Sequence, residues 1–136
     1  MPFDPKRLLY TTTHEWASVE GGPAGEKIAT VGLSDFALKA LTDLVHMELP
    51  EPGRAVEAGG PMGEVESVKA VSDIYSPVAG EILETNTFLL ESLDTLTQDP
   101  YGAGWLVKIR VTDASGLARL LDFTAYQKQC EQEMTE

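Results

Sequence analysis

The chain has 136 residues, 43% of them hydrophobic, enough to close one core, so a single domain spanning 1–136 is expected. Ten Lys and Arg against 22 Asp and Glu leave a formal charge of -12, which repels phosphate backbones and anionic headgroups and argues against nucleic acid and membrane surfaces as partners. Cys130, His14 and His46 supply neither an internal disulfide nor a spaced zinc set, no apolar run nears the ~20 residues a bilayer requires, and Met1-Pro2-Phe3-Asp4-Pro5 lacks a signal pattern, so a metal-free cytoplasmic protein is expected.

Short apolar or alternating stretches bounded by Gly, Pro or Asn predict strands, the first two at 16–20 and 27–33. Ser34 then caps a short helix whose Phe36, Ala40 and Leu41 fall at helical spacing, with Asp35 favourable in the positive first turn. Further strands are predicted at 44–49, 62–68, 81–85 and 105–111. The last alternates most clearly: Trp105, Val107, Ile109 and Val111 are expected to face inward, and Leu106, Lys108 and Arg110 outward. Trp16 and Trp105 read as core anchors. A helical tail is expected over about 114–134, where 116–121 precedes a helix capped by Asp122 with Phe123, Tyr126 and Cys130 on one face. No low-complexity linker or long repeat interrupts the chain.

Most catalytic signatures are missing. There is no Gly-x-Ser-x-Gly elbow, and the glycine-rich stretches 21–25 and 59–63 are followed by no Lys-Ser/Thr that would cradle phosphate. His14-Glu15-Trp16 opens like a zincin helix, but Ser18 stands where the second histidine belongs. What remains is one lysine, Lys69, between two β-capable runs in a predicted hairpin of about 63–82. A hairpin tip lifts such a side chain clear of the sheet, within reach of other proteins. Acidic Glu64, Glu66 and Asp73 would surround the lone cation, and small Ala70 and Ser72 leave room for an enzyme to close over the amine. The same residues also describe an ordinary solvated lysine with exposed ion pairs worth little, and the hairpin alone does not separate the two readings.

A longer series of motifs does. His14-Glu15-Trp16, Val31-Gly32-Leu33-Ser34-Asp35, Asp43-Leu44-Val45-His46-Met47-Glu48-Leu49-Pro50 and Val65-Glu66-Ser67-Val68-Lys69-Ala70 occur in this order. They continue in Ser72-Asp73, Tyr75-Ser76-Pro77, Gly80-Glu81, Asn86, Asp99-Pro100-Tyr101-Gly102 and Gly104-Trp105. In these residues the chain resembles the H-protein family of the glycine cleavage system, the lipoyl carriers of a glycine-degrading complex. Thr42, Leu93 and Thr97 depart from the family's usual glycine, proline and asparagine. They leave open, as an alternative, a lipoylated H-like carrier serving another pathway such as sulfur oxidation.

The resemblance implies a mainly β fold, a barrel-sandwich hybrid of two antiparallel sheets like other lipoyl and biotinyl carriers, with a short internal helix and C-terminal helices. It implies a non-catalytic carrier with lipoate bound covalently to Lys69, and Glu66 and Gly80 as positions read by the lipoate ligase or lipoyltransferase. Gly80 reads equally well as a turn glycine behind Pro77. It further implies Thr13, Glu15 and Asp73 as the lining of a cleft in which the aminomethyl-bearing arm rests. For Glu15 the residues alone read as an exposed loop acid, and for Asp73 as a turn-former. The partners implied are a pyridoxal-phosphate-dependent glycine decarboxylase (P protein), a tetrahydrofolate-dependent aminomethyltransferase (T protein) and dihydrolipoyl dehydrogenase (L protein). Val68 and Ala70 beside the lysine favour lipoate over biotin, whose carriers usually place methionines there.

Overall fold

The run Ala29 to Leu33 is buried at every position rather than at alternate ones, because its strand lies in the middle of a sheet with both faces covered. In the computed structural model, which describes residues 3–134, the strands are β1 (Leu9–Tyr10), β2 (Glu15–Gly21), β3 (Lys27–Leu33), β4 (Leu44–Glu48), β5 (Ala55–Val56), β6 (Pro61–Ser67), β7 (Val71–Tyr75), β8 (Ala79–Thr85) and β9 (Val107–Asp113). One sheet has the order β1-β2-β3-β9-β8-β5 and the other β4-β6-β7, with every pairing antiparallel. Val31, Met47, Val65, Ile74, Ile82 and Ile109 belong to the main core, which draws on both sheets. Each such side chain contributes about 1.5–3 kcal/mol on burial. A mainly β architecture of two antiparallel sheets is therefore what the chain adopts.

A second cluster, Leu8, Tyr10, Trp16 and Tyr126, joins the N-terminal strands to the last helix. Trp16 is fully buried and donates from its indole to the carbonyl of Pro100 at 3.2 Å. Gly32 is its cross-strand partner, and a Cβ there would lie 2.5 Å from the indole ring, so only glycine lets the tryptophan lie against the strand.

The helices are α1 (Asp35–Leu41), α2 (Phe88–Glu91), α3 (Leu93–Gln98) and α4 (Phe123–Met134), with short 3-10 turns at Pro5–Arg7 and Ala114–Arg119. Ser34 caps α1 by accepting from the amide of Ala37, but the helix buries Leu38 while Ala40 is exposed. Asp122 caps α4, accepting from the amide of Ala125 at 2.8 Å. Phe123 and Cys130 pack with buried Tyr126, as their spacing predicted.

Several expectations need correction. Leu106, expected to face outward, is fully buried, because β9 begins only at Val107 and the preceding backbone is pinned by the Leu106 amide to Val31 O at 2.8 Å. Trp105 is half-buried against the second cluster. The segment 116–121 does not continue as α-helix, since Leu121 exchanges two backbone hydrogen bonds with Tyr10 and is held extended. The stretch 63–82 is a hairpin only as far as Tyr75. Pro77 cannot donate to a ladder, and the chain crosses there to begin β8 in the other sheet. The helices α2 and α3 were not anticipated. Among the described residues no helix is long and apolar enough to cross a membrane.

Candidate functional site

The β6–β7 hairpin ends in a turn built by Ser67. Its amide donates to Ala70 O at 2.8 Å, and its hydroxyl oxygen accepts from the amides of Lys69 and Ala70 at 3.3 and 3.1 Å. Ser67 is buried, so the turn is anchored from below while Val68, Lys69 and Ala70 stand exposed. A second anchor is the Val68 amide, which donates to Asp43 O at 3.1 Å. The Lys69 ammonium makes no hydrogen bond or ion pair with any described residue. Among the described residues nothing competes for its amine.

Around this lysine the outer face of the small sheet is apolar near the tip and acidic further back. Val45, Val68 and Val71 are 53%, 72% and 55% exposed. Register sets Glu66 between His46 and Val71, and Glu64 between Glu48 and Asp73. Three carboxylates thus stand in one cross-strand row, an arrangement that repels itself and adds nothing to folding. Asp73 is an exposed strand residue, not the turn-former its sequence context allowed.

Glu15 is not an exposed loop acid. It opens β2 at 1% exposure, and its carboxylate is held from several sides. Thr11 Oγ1 and Thr13 Oγ1 both donate to its Oε1, at 2.6 and 2.5 Å, and the Tyr75 amide donates to Oε2 at 3.2 Å. Burial pushes the carboxyl above the ordinary range, and these donors offset part of that shift. The three donors favour the ionised form of this buried acid, which burial alone would oppose more strongly. Thr11 was overlooked in the sequence. The signal was there, in three consecutive threonines two to four residues before a glutamate, the kind of local hydroxyl bonding such residues favour in loops.

Thr13 and Glu15 are therefore brought into direct contact, but Asp73 is not bonded to either. Thr13 and Thr11 line a groove of about 370 Å³ with Tyr75, Pro77 and Arg119. Asp73 lines a separate recess of about 280 Å³ with Glu48, Arg54 and Glu64. Tyr75 stands between them: its amide reaches Glu15, and its hydroxyl donates to Asp73 Oδ2 at 3.5 Å, the limit of a hydrogen bond.

Gly80 belongs to the six-stranded sheet, whereas the lysine turn closes a hairpin of the other. It is buried in β8, not in the turn after Pro77, and a Cβ there would come within 2.1 Å of Arg110 O. Its absent side chain is what allows β8 and β9 to pair at this point. Glu66, by contrast, is exposed beside the tip. Among the described residues no group of three or more His, Cys, Asp or Glu side chains is arranged to hold a metal ion.

Comparison with known proteins adds an independent line. The glycine cleavage H-protein family profile matches residues 8–133. A glycine cleavage system H protein of Rhodopirellula baltica is 50% identical over 132 residues, covering 97% of this chain and 98% of that one. One of Thermus thermophilus is 48% identical over 129 residues, covering 95% and 97%. The crystal structure of a glycine cleavage system H protein from Mycobacterium marinum superposes with a TM-score of 0.83 at 40% identity, covering 93% of this chain and 98% of that one.

Proposed function

The chain belongs to the glycine cleavage H-protein family, and we propose on that basis that it is the lipoyl carrier of a glycine cleavage system, with lipoate attached to Lys69. The observation that carries the assignment of the lysine is its setting: an exposed amine, without a partner among the described residues, on a turn anchored by Ser67 and Asp43. Bound there, lipoate would supply a redox-active dithiolane able to carry the aminomethyl group of glycine between a decarboxylase and a folate-dependent transferase. The chain itself performs no turnover. Glycine decarboxylase, aminomethyltransferase, dihydrolipoyl dehydrogenase and a lipoate ligase or lipoyltransferase are the partners that this role requires.

The residues of the chain tether, receive and shield. Tethering replaces an encounter between free molecules by a local search, for which effective concentrations reach about the millimolar range. A side chain laid back from Lys69 along β7 passes Asp73 before Tyr75 and the threonine groove, since Val71 to Tyr75 spans about 13 Å at ~3.3 Å per residue. Thr13 and Asp73 are exposed and would meet a cationic cargo directly. Glu15 would act from beneath, its charge passed forward through the threonine hydroxyls. In this reading Glu66 and the exposed valines orient the modifying enzyme, and Gly80 serves recognition only through the sheet that it allows to form.

The test is intact and peptide mass of the chain from a lipoate-replete host with a working glycine cleavage system. A lipoyl-sized adduct on the Lys69 peptide is expected. Consistent absence of any adduct, or its presence on another lysine, overturns the assignment.

A further inference from the structure

A polar network joins loop 11–14 to α4. His14 sits in the left-handed region, at φ 76, and stacks on Phe36 of α1 at 4.9 Å between ring centroids. Its Nε2 lies 3.2 Å from Glu133 Oε1. A carboxylate only accepts, so the neutral ring carries its proton on Nε2 and leaves Nδ1 as an acceptor. Tyr126 Oη donates to that Nδ1 at 2.7 Å and accepts from Ser34 Oγ at 2.5 Å. One turn along α4, Gln129 Nε2 donates to Thr12 O at 2.8 Å and to Glu133 Oε2 at 3.1 Å. The Tyr126 ring also stacks on Tyr10 at 4.2 Å, at the residue that leads into Thr11.

The helix therefore grips both neighbours of Thr13, residue 12 by its carbonyl and residue 14 by its ring. Within the loop, the Thr11 hydroxyl oxygen accepts from the amides of Thr13 and Glu15 at 3.2 and 3.0 Å. A shift of the loop would move both hydroxyls that donate to Glu15.

We propose that Tyr126, Gln129 and His14 are positioning residues for the Glu15 carboxylate, through which the C-terminal helix sets how firmly the resting arm is retained. This rests on the reading of Thr13 and Glu15 as part of the arm's resting place. None of the three touches Lys69 or its turn. They act by holding Thr11 and Thr13 where their hydroxyls face the buried charge.

Two variants of the full lipoylated carrier test it: Tyr126→Phe, which keeps the ring stack and removes the hydroxyl, and Gln129→Met, which keeps the length and removes the donor. Two readouts are needed, titration of the Glu15 carboxyl by carbon-13 NMR and the rate of spontaneous ammonia and formaldehyde release from the loaded carrier. Weakened threonine donation should move the Glu15 titration further above the ordinary carboxylate range. Release should quicken by roughly two- to tenfold, the range of one ordinary hydrogen bond. The rate of Lys69 lipoylation should match the parent. Parental titration and parental release in both variants overturn the proposal. A moved titration with parental release upholds the positioning role and overturns the resting-place reading. Should Tyr126→Phe fail to fold, Gln129→Met at the half-exposed position decides by the same two readouts.

Discussion

The amide of Val68, immediately before Lys69, is hydrogen-bonded to the carbonyl of Asp43, so the lysine turn leans on a segment with two successive left-handed residues, Thr42 at φ 52 and Asp43 at φ 23. With ψ at 170, Thr42 borders a backbone region that is essentially reserved for glycine. A β-branched residue is strained there, and glycine is usual at this position in the family. Thr42→Gly should stabilise the protein by about 1 kcal/mol, since the exposed threonine gives up no burial and the relieved strain of ~1–3 kcal/mol exceeds the entropic cost of glycine. Thermal unfolding should rise by roughly 3–6 °C. An unchanged or lower midpoint would mean that the turn gains nothing from relaxed support.

Lys69→Arg should abolish lipoate attachment and glycine-dependent NADH formation in a reconstituted system while unfolding as the parent does. Arginine keeps the charge but offers no amine for the amide bond. The side chain has no partner among the described residues to lose, so stability has no reason to fall. Activity equal to the parent would refute the site.

Glu66→Ala should slow lipoylation at limiting ligase several-fold and change stability by no more than about 0.5 kcal/mol, since exposed surface changes are usually within that range. Matched modification rates for parent and variant would remove Glu66 from the recognition surface.

Glu15→Gln should separate stability from function. Burial raises the Glu15 carboxyl pKa in the folded state, so the folded protein holds this proton more tightly than the unfolded chain. The group's favourable contribution is present below its unfolded pKa and is lost as pH rises through the raised folded value. Glutamine is free of that penalty, so its advantage in urea unfolding should grow from pH 4 to pH 7. Release from the loaded carrier should nevertheless quicken by up to about tenfold, as also for Asp73→Asn, when a charge-assisted contact is lost. Parental release in both variants would reduce these acids to ordinary side chains.

Gly80→Ala should destabilise the protein by about 1–3 kcal/mol or more, because the new methyl meets Arg110 O across the β8–β9 ladder. At a temperature where the variant remains folded, its Lys69 should be lipoylated at the parental rate. A slow rate in fully folded protein would make Gly80 a direct recognition element after all.

The local features were legible from the chain itself. Strand 27–33 matched β3, Ser34 and Asp122 proved to be caps, and the run into Lys69 formed a hairpin strand ending in a turn. Period-two patterning, capping and turn chemistry act between residues a few positions apart, and therefore survive in a linear reading. The outward expectation for Leu106 failed because the alternation was extended past the true start of β9, a boundary decided by pairing with β3.

The depth of Glu15, the role of Thr11 and the grip of Tyr126 and Gln129 on loop 11–14 were decided only in three dimensions. Glu15 is bonded to Tyr75, Thr12 to Gln129 and His14 to Tyr126. These contacts span 60, 117 and 112 positions. The sequence by itself determined which residue stands at the exposed turn, because a turn is closed by its own neighbours. Whether a carboxylate is buried, and which donors make its charge tolerable there, depends on how two sheets and a distant helix pack together, and packing between remote segments leaves no period in the chain to be read.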